Sequence, residues 1–355
     1  MSRRRLALAG IAGASLVAGL AAVPDRTGAA PRAERQTGQV RVWTIHYRAH
    51  TGAPRRAYVA LPAWYGPRDN PPLPLVVSPH GRGLGARANL RLWGALPGRG
   101  AFAVVSPEGA GRKLERYSWG AVGQIDDLAR MPSIVRRTLP WLRIDTRRVY
   151  AFGGSMGGQE VLLLLARYPR LLAGVAAFDA VTDFARQYRS FTRIPCDRGC
   201  HTRWQGPIGV SLRSLARQEV GGAPGTRAEA YRLRSPLAFA RTIAGSCVPL
   251  QLWWSTNDRI VANQDEQTGA LYRTVRALNP RAPVQAFVGS WAHSAEMRAR
   301  TRLPAAVAAF GLLPPVPART TFGIRVHEPP EESCDPRAGP AAAVGASGGA
   351  PASAG

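Results

Sequence analysis

The sequence predicts an α/β protein: a mainly parallel sheet with helices on both faces. Three observations predict it. Short apolar runs of strand length recur along the chain, each bounded by turn residues. Longer segments with helical apolar spacing alternate with them. The central runs are apolar almost throughout, as strands covered on both faces require. No internal repeat appears, and one domain over residues 38–315 accounts for the pattern.

Residues 40–48 (VRVWTIHYR) and 55–61 (RRAYVAL) mix β-branched and aromatic residues, as two early antiparallel strands would. The proline-rich stretch 62–74 separates them from a short apolar strand, Leu75–Ser78, which runs into Pro79-His80-Gly81-Arg82-Gly83. Ala101–Ser106 is the next buried strand. Over residues 121–142, Val122, Ile125, Leu128, Ala129, Ile134, Val135 and Leu139 fall at helical spacing. A kink is expected at Pro132 and an end by Pro140. Arg148–Phe152 reads as a strand that meets a glycine run. The helix containing Glu160–Arg167 is too apolar for a surface position.

Ala173–Phe178 is the following strand, and residues 184–246 read as a long irregular insertion that would overhang the sheet as a cap. Val248–Ser255 resumes the strand series. A helix over 265–278 places Leu271, Val275 and Leu278 on one face. Val284–Val288 is the last expected strand and Ala295–Phe310 the last helix. Residues 316–355 are expected to form a tail. From residue 336 this is an Ala/Gly/Pro/Ser segment that buries too little surface to order itself.

The N-terminus carries an address. Arg3, Arg4 and Arg5 precede the uncharged apolar run Leu6–Val23, and small residues follow, so residues 1–30 read as a bacterial-type signal peptide. Cleavage is expected near residue 22 or residue 30. Ser2-Arg3-Arg4-Arg5-Leu6 also resembles a twin-arginine export signal. The expected location is secreted or in the cell envelope.

The formal charge is +25, and removing residues 1–30 takes away four arginines and one aspartate, leaving +22. Lys113 is the only lysine, so the remaining basic residues are all arginine. They are scattered rather than striped, which is composition bias and not a nucleic-acid footprint. No nucleic-acid partner is expected; association with an anionic cell surface fits the charge.

Export permits disulfides. Cys196 and Cys200 enclose three residues including Gly199 and are expected to pair, leaving Cys247 with Cys334. A zinc site at Cys196, Cys200 and His201 lacks a second half. No metal and no cofactor is expected.

The stretch YAFGGSMGG at 150–158 contains Gly153-Gly154-Ser155-Met156-Gly157. In a chain with 38 glycines such a match arises easily, so context decides. Here a strand runs directly into a helix, where a serine on a strained turn projects its hydroxyl from the sheet edge. A serine needs a base held by a carboxylate. His293, in GSWAHSAE after the last expected strand, has the right order and edge; His201 lies in the insertion. Asp258, after VPLQLWWSTN, is the favoured acid. Asp179, Asp183 and Asp265 are rivals, and Asp126 and Asp127 sit on a helix before the serine. The Met156 N–H and that of Gly81 or Arg82 would form an oxyanion hole. His80 is expected to prop that loop.

Together, PHGRG at 79–83, RIDTRRVYAFGGSMGG at 143–158, SPLAFA at 235–240, STNDRIV at 255–261 and WAHS at 291–294 resemble the α/β-hydrolase superfamily. The likeness is to the catalytic domain of the prolyl oligopeptidase family and to related secreted esterases and polyhydroxybutyrate depolymerases. It implies Ser155, Asp258 and His293 as a triad, with Gly81 or Arg82 and Met156 as oxyanion donors. It departs from the family in two ways. About 40 residues precede the first strand, too few for a peptide-filtering propeller, and Arg82 stands where related loops often have glycine.

The leading expectation is an exported serine hydrolase that cleaves a small-molecule or polymer ester. A peptidase for short peptides is second, and a non-catalytic envelope-binding protein on a hydrolase scaffold is third. Of the strand-end tryptophans, Trp253 or Trp254 must point into the core, whereas Trp119 and Trp291 are expected to line a substrate pocket.

Overall fold

The computed structural model describes residues 38–315 and 323–334. The leader expected over residues 1–30 and the low-complexity end from residue 336 lie outside the described residues.

Nine strands form one sheet: β1 (Val40–Arg48), β2 (Pro54–Pro62), β3 (Leu73–Val77), β4 (Ala103–Pro107), β5 (Ile144–Gly154), β6 (Gly174–Phe178), β7 (Leu250–Ser255), β8 (Val284–Gly289) and β9 (Arg325–His327). Their order is β1-β2-β4-β3-β5-β6-β7-β8-β9. The β1–β2 hairpin pairs Val40 with Pro62 and Arg48 with Pro54, and β2 meets β4 antiparallel. From β4 through β3, β5, β6 and β7 to β8 every pairing is parallel. The carboxyl ends of β3 and β5 to β8 therefore share one edge.

The helices in chain order are α1 (Ala86–Arg91), α2 (Leu96–Gly100), α3 (Val122–Thr138), α4 (Met156–Arg167), α5 (Phe184–Ser190), α6 (Arg198–Trp204), α7 (Ile208–Val220), α8 (Ala228–Arg232), α9 (Ala240–Gly245), α10 (Thr268–Leu278) and α11 (Leu303–Ala309). Strand side chains alternate between two cores, as a period of two dictates. Val149 and Ala151 of β5 and Trp254 of β7 face α3, α4, α9 and α10. Tyr150, Phe152 and Trp253 face α1, α2 and α11. Both tryptophans of the Trp253-Trp254 pair are thus core residues, on opposite faces.

The insertion at 184–246 is helical rather than irregular, comprising α5 to α9 and short 3-10 turns. It has its own aromatic core of Trp119, Phe184, Tyr188, Phe191 and Tyr231, packed on Met156 at the start of α4. Glu219 of α7 fastens it to the loop after β4. Its carboxylate accepts from the Arg112, Lys113 and Leu114 amides and pairs with Arg234. Both expected disulfides are present, Cys196–Cys200 and Cys247–Cys334.

Two boundaries differ from expectation. The last helix begins at Leu303 rather than Ala295, because Pro304 has no N–H to donate and suits only a first turn. The expected tail supplies β9, which pairs antiparallel with β8 from Ala286–His327 to Val288–Arg325. Cys334 joins the same region to Cys247. Its three-residue length hides β9 from pattern reading; a partner edge and a disulfide fix it.

Candidate active site

Ser155 is the N-cap of α4, directly after β5, with φ 59° and ψ −125°. An L-residue holds such a conformation only when its surroundings force it. Here the Ser155 N–H donates to the Phe178 carbonyl (2.8 Å), and its own carbonyl accepts from Gln159 N–H (3.0 Å). The flanking glycines let the turn close. A Cβ on Gly153 would lie 2.2 Å from the Gly157 carbonyl oxygen, and one on Gly157 would lie 2.5 Å from that of Pro79.

The loop after β8 brings His293 to the same edge. Its Nδ1 lies 2.7 Å from Asp258 Oδ2, in the loop after β7. The Asp258 carboxylate also accepts from the Ile260 and Val261 amides (2.8 and 3.0 Å) and from Gln264 Nε2 (3.1 Å), which fixes its orientation. His293 Nε2 is buried and has no hydrogen-bond partner among the described residues, so the link to Ser155 is not formed in this structure. Ser155 and His293 line one cavity of about 220 Å³ with Gly81, Arg82, Leu84, Leu92, Met297 and Arg298. A larger cleft of about 660 Å³ lies around Leu73, Ala101 and Arg148, towards the strands' other ends. Among the described residues its lining holds no paired acid and base, whereas the smaller cavity holds Ser155 beside the His293–Asp258 pair.

The loop after β3 completes the edge. His80 Nδ1 meets the Gly81 carbonyl (2.8 Å), and its Nε2 accepts from the Gly109 amide (2.9 Å). Burial lowers its pKa, favouring a neutral ring protonated at Nδ1. The Gly81 carbonyl, turned towards His80, directs the Arg82 N–H of the same trans peptide the opposite way. A Cβ on Gly81 would lie 3.8 Å from Ser155 Cβ, so this loop abuts the serine. The Met156 N–H opens α4, where helix amides lack intrahelical acceptors and the dipole favours negative charge.

The rivals for the acid take other tasks. Asp183 caps α5 through the Arg186 amide (2.9 Å), and exposed Asp265 pairs with Arg273. Asp126 accepts from Tyr168, and Asp127 binds His50 and Arg130. Asp179 is the residue whose importance sequence reasoning missed. Its Oδ1 accepts from Ser255 N–H (2.8 Å) and its Oδ2 from Trp291 Nε1 (2.9 Å) and Ser294 N–H (2.7 Å). It thereby latches the histidine loop to the ends of β6 and β7. Burial, reinforced by the nearby Asp258 charge, pushes its carboxyl up to about 6 against the pull of His293 and its own hydrogen bonds. Its position after β6 and its φ of 46° mark it as special, and only its place after a strand is visible in sequence.

Asp179, Asp258 and His293 bring potential ligand atoms within 4.8 Å of one another. All four carboxylate oxygens already accept hydrogen bonds from the protein, so a cation there would have to displace them.

The two tryptophans expected to line the pocket do not reach it. Trp119 is buried in the insertion core, stacked on Phe184 with centroids 5.8 Å apart. Trp291 is a scaffold residue. Besides its bond to Asp179, its backbone N–H and carbonyl both bind Ser255 Oγ (2.8 and 2.6 Å). The loop folds back over β7 and turns this indole inward. His201 is exposed on α6 of the insertion and does not line the cavity.

No protein-family model and no curated protein matches the chain. Solved structures do. The chain is similar to Pyrococcus horikoshii acylaminoacyl peptidase (17% identity, TM-score 0.55, 78% of this chain and 42% of that one). It is also similar to a Mycobacterium tuberculosis puromycin-hydrolyzing peptidase (20%, 0.54, 79% and 40%). A fungal esterase from Rhizomucor miehei matches at 12% identity and TM-score 0.54, over 77% of this chain and 82% of its own. The chain thus spans about two fifths of the length of those peptidases. The nine-stranded, mostly parallel sheet and these neighbours agree: the chain has the α/β-hydrolase fold.

Proposed function

We propose that the protein is an exported serine hydrolase that cleaves carboxylic esters through Ser155, His293 and Asp258. The observation that carries this reading is the His293 ring, with Nδ1 held by Asp258 and Nε2 unpartnered beside a cavity that contains a strained Ser155. In the proposed cycle, a small rotation brings Ser155 Oγ to His293 Nε2, which takes its proton as the serine attacks the acyl carbonyl. Asp258 holds the ring with Nδ1 protonated and stabilises the imidazolium. The Met156 and Arg82 amides receive the oxyanion, and each such donor is worth roughly 3–4 kcal/mol in the transition state. His293 then protonates the leaving alcohol and activates the water that releases the acid.

Esters are favoured over aminopeptidase substrates because, among the described residues, no carboxylate lines the cavity to bind an α-ammonium group. Two disulfides fit an oxidising compartment. No helix among the described residues is long and apolar enough to cross a membrane. The surplus of arginine suits association with an anionic envelope polymer.

The test is a fluorophosphonate probe followed by a panel of acyl esters and aminoacyl amides. The probe is expected to label the wild type and not Ser155→Ala, and ester turnover is expected to lead. Folded protein that resists the probe would refute the reading. Amide turnover above ester turnover would replace it with a peptidase.

A further inference from the structure

We propose that the Ser155 cavity recognises a carboxylate borne by the substrate close to its scissile ester, with Arg82 and Arg298 as the recognition groups. The proposal rests on the ester-hydrolase reading above and adds the substrate class to it.

Two arginines, Arg82 and Arg298, line this cavity, and among the described residues no aspartate or glutamate does. Among the described residues, Arg56, Arg130, Arg186, Arg232, Arg234 and Arg273 are arginines that sit within ion-pair distance of a carboxylate. Arg82 and Arg298 have no such partner among the described residues. Asp258 and Asp179, at the same sheet edge, are saturated by donors from the β7 and β8 loops. Arg298 is exposed at the mouth, whereas Arg82 is partly buried, and that burial lowers its pKa, with the Tyr117 phenol as the countering influence. A partly desolvated cation without a counter-ion carries a cost that a ligand carboxylate pairing with it reduces. The planar guanidinium fork matches a carboxylate through two parallel hydrogen bonds.

The remaining wall sets the spacer. Leu84, Leu92 and Met297 are apolar, and about 220 Å³ admits only a short chain. Asn89 also lines the cavity, but its amide nitrogen is committed to Ser78 and Ser106. The fitting substrate class is therefore a short half-ester of a dicarboxylic acid, or an ester whose alcohol carries the acid. The shared feature is an anion a few methylene groups from the reacting carbonyl.

The experiment compares three esters of similar size: 4-nitrophenyl butyrate, 4-nitrophenyl hemiglutarate and 4-(butyryloxy)benzoate. At least one anionic ester is expected to exceed the neutral one about tenfold in kcat/KM, and which one leads tells whether the acyl or the alcohol side bears the charge. Arg298→Gln is expected to erase most of that ratio, through KM, while Arg298→Lys restores part of it. Equal kcat/KM for all three, or an equal loss on all three in Arg298→Gln, overturns the proposal and leaves the hydrolase reading standing.

A second arm needs no turnover. Calorimetric titration of Ser155→Ala is expected to detect glutarate and not butyrate, and to lose glutarate when Arg298→Gln is added. Glutarate binding in a protein that hydrolyses no ester would keep the anion site and refute the catalysis. Failure to bind glutarate better than butyrate refutes the site. Circular dichroism of each variant confirms that the comparison is made on folded protein.

Discussion

His80 and His293 stand on two loops at the same sheet edge, after β3 and after β8, yet they are wired differently. Both His80 nitrogens are engaged, one at the Gly81 carbonyl and one at the Gly109 amide. His293 uses one nitrogen on Asp258 and leaves the other open beside Ser155. An imidazole with both nitrogens committed in the neutral form can hold a loop but cannot relay a proton. One open nitrogen opposite a carboxylate can. The bond inventory of each ring, rather than its burial or its place in the fold, separates scaffold from chemistry.

The sharpest way to break that contrast is to remove each member in turn. Ser155→Ala or His293→Ala is expected to lower kcat towards 4-nitrophenyl esters by roughly a millionfold. Asp258→Asn should lower it by about ten-thousandfold, since the amide cannot hold the required tautomer. His80→Gln acts only through the oxyanion loop, so its loss should stay below about a thousandfold, the cost of one displaced donor. Steady-state kinetics on purified variants decides. A His80 variant as inactive as a His293 variant would erase the distinction.

How much of this was legible in the sequence follows from what each residue needs. The eight longer strands and the Ser155 turn were readable because apolar runs and a strand–glycine–helix junction are local patterns. The pairing of Asp258 with His293 follows the order expected along the chain, and the bonds of His80 to Gly81 and Gly109 accord with the propping role expected of it. Trp291 was misplaced because its indole direction depends on Asp179, which lies 112 residues away in the chain. Asp179 passed for a competing acid for the same reason: its donors at Ser255, Trp291 and Ser294 come from later strands. Trp119, expected at the pocket wall, lies instead in the core beneath the insertion. It is claimed by Phe184 and Phe191 of an insertion whose helices lacked a clear apolar pattern. β9 needed the β8 edge to exist at all.

Glycine replacements at the elbow sharpen the comparison by moving one loop and leaving the other. In Gly157→Ala the new methyl group would meet the Pro79 carbonyl oxygen at 2.5 Å, backbone against backbone, and must displace the His80 loop from α4. We expect roughly a hundredfold loss in kcat with the His293–Asp258 pair intact. Gly153→Ala strikes the elbow itself, 2.2 Å from the Gly157 carbonyl oxygen, and should cost stability of about 1–3 kcal/mol as well. Gly154→Ala meets side chains alone, Ser294 at 3.2 Å and Met297 at 3.5 Å, and should be the mildest of the three. Thermal denaturation beside esterase kinetics separates these outcomes. A fully active Gly157→Ala enzyme would show that the His80 loop does not supply an oxyanion donor.

The smallest expected effect, and the most diagnostic, is the opposite pH dependence of the two loops. Burial lowers the folded pKa of His80 below its ordinary value of 6.5. The stability it contributes is therefore fully present above about 6.5 and lost as pH falls through the folded value, where protonation of Nε2 ends its bond to the Gly109 amide. Asp179 runs the other way, from an ordinary 3.8 up to about 6 in the folded protein. Its contribution is fully present below about 3.8 and lost as pH rises through about 6, because the folded state then carries a buried carboxylate. Urea unfolding between pH 4 and 7 reads both. His80→Gln should flatten the acid limb, and Asp179→Asn should remove a downward slope between pH 4 and 6 while lowering stability overall by loss of an acceptor. An Asp179→Asn profile parallel to wild type would mean that the latch on the histidine loop is ionised throughout, and that the two loops do not respond to pH in opposite senses.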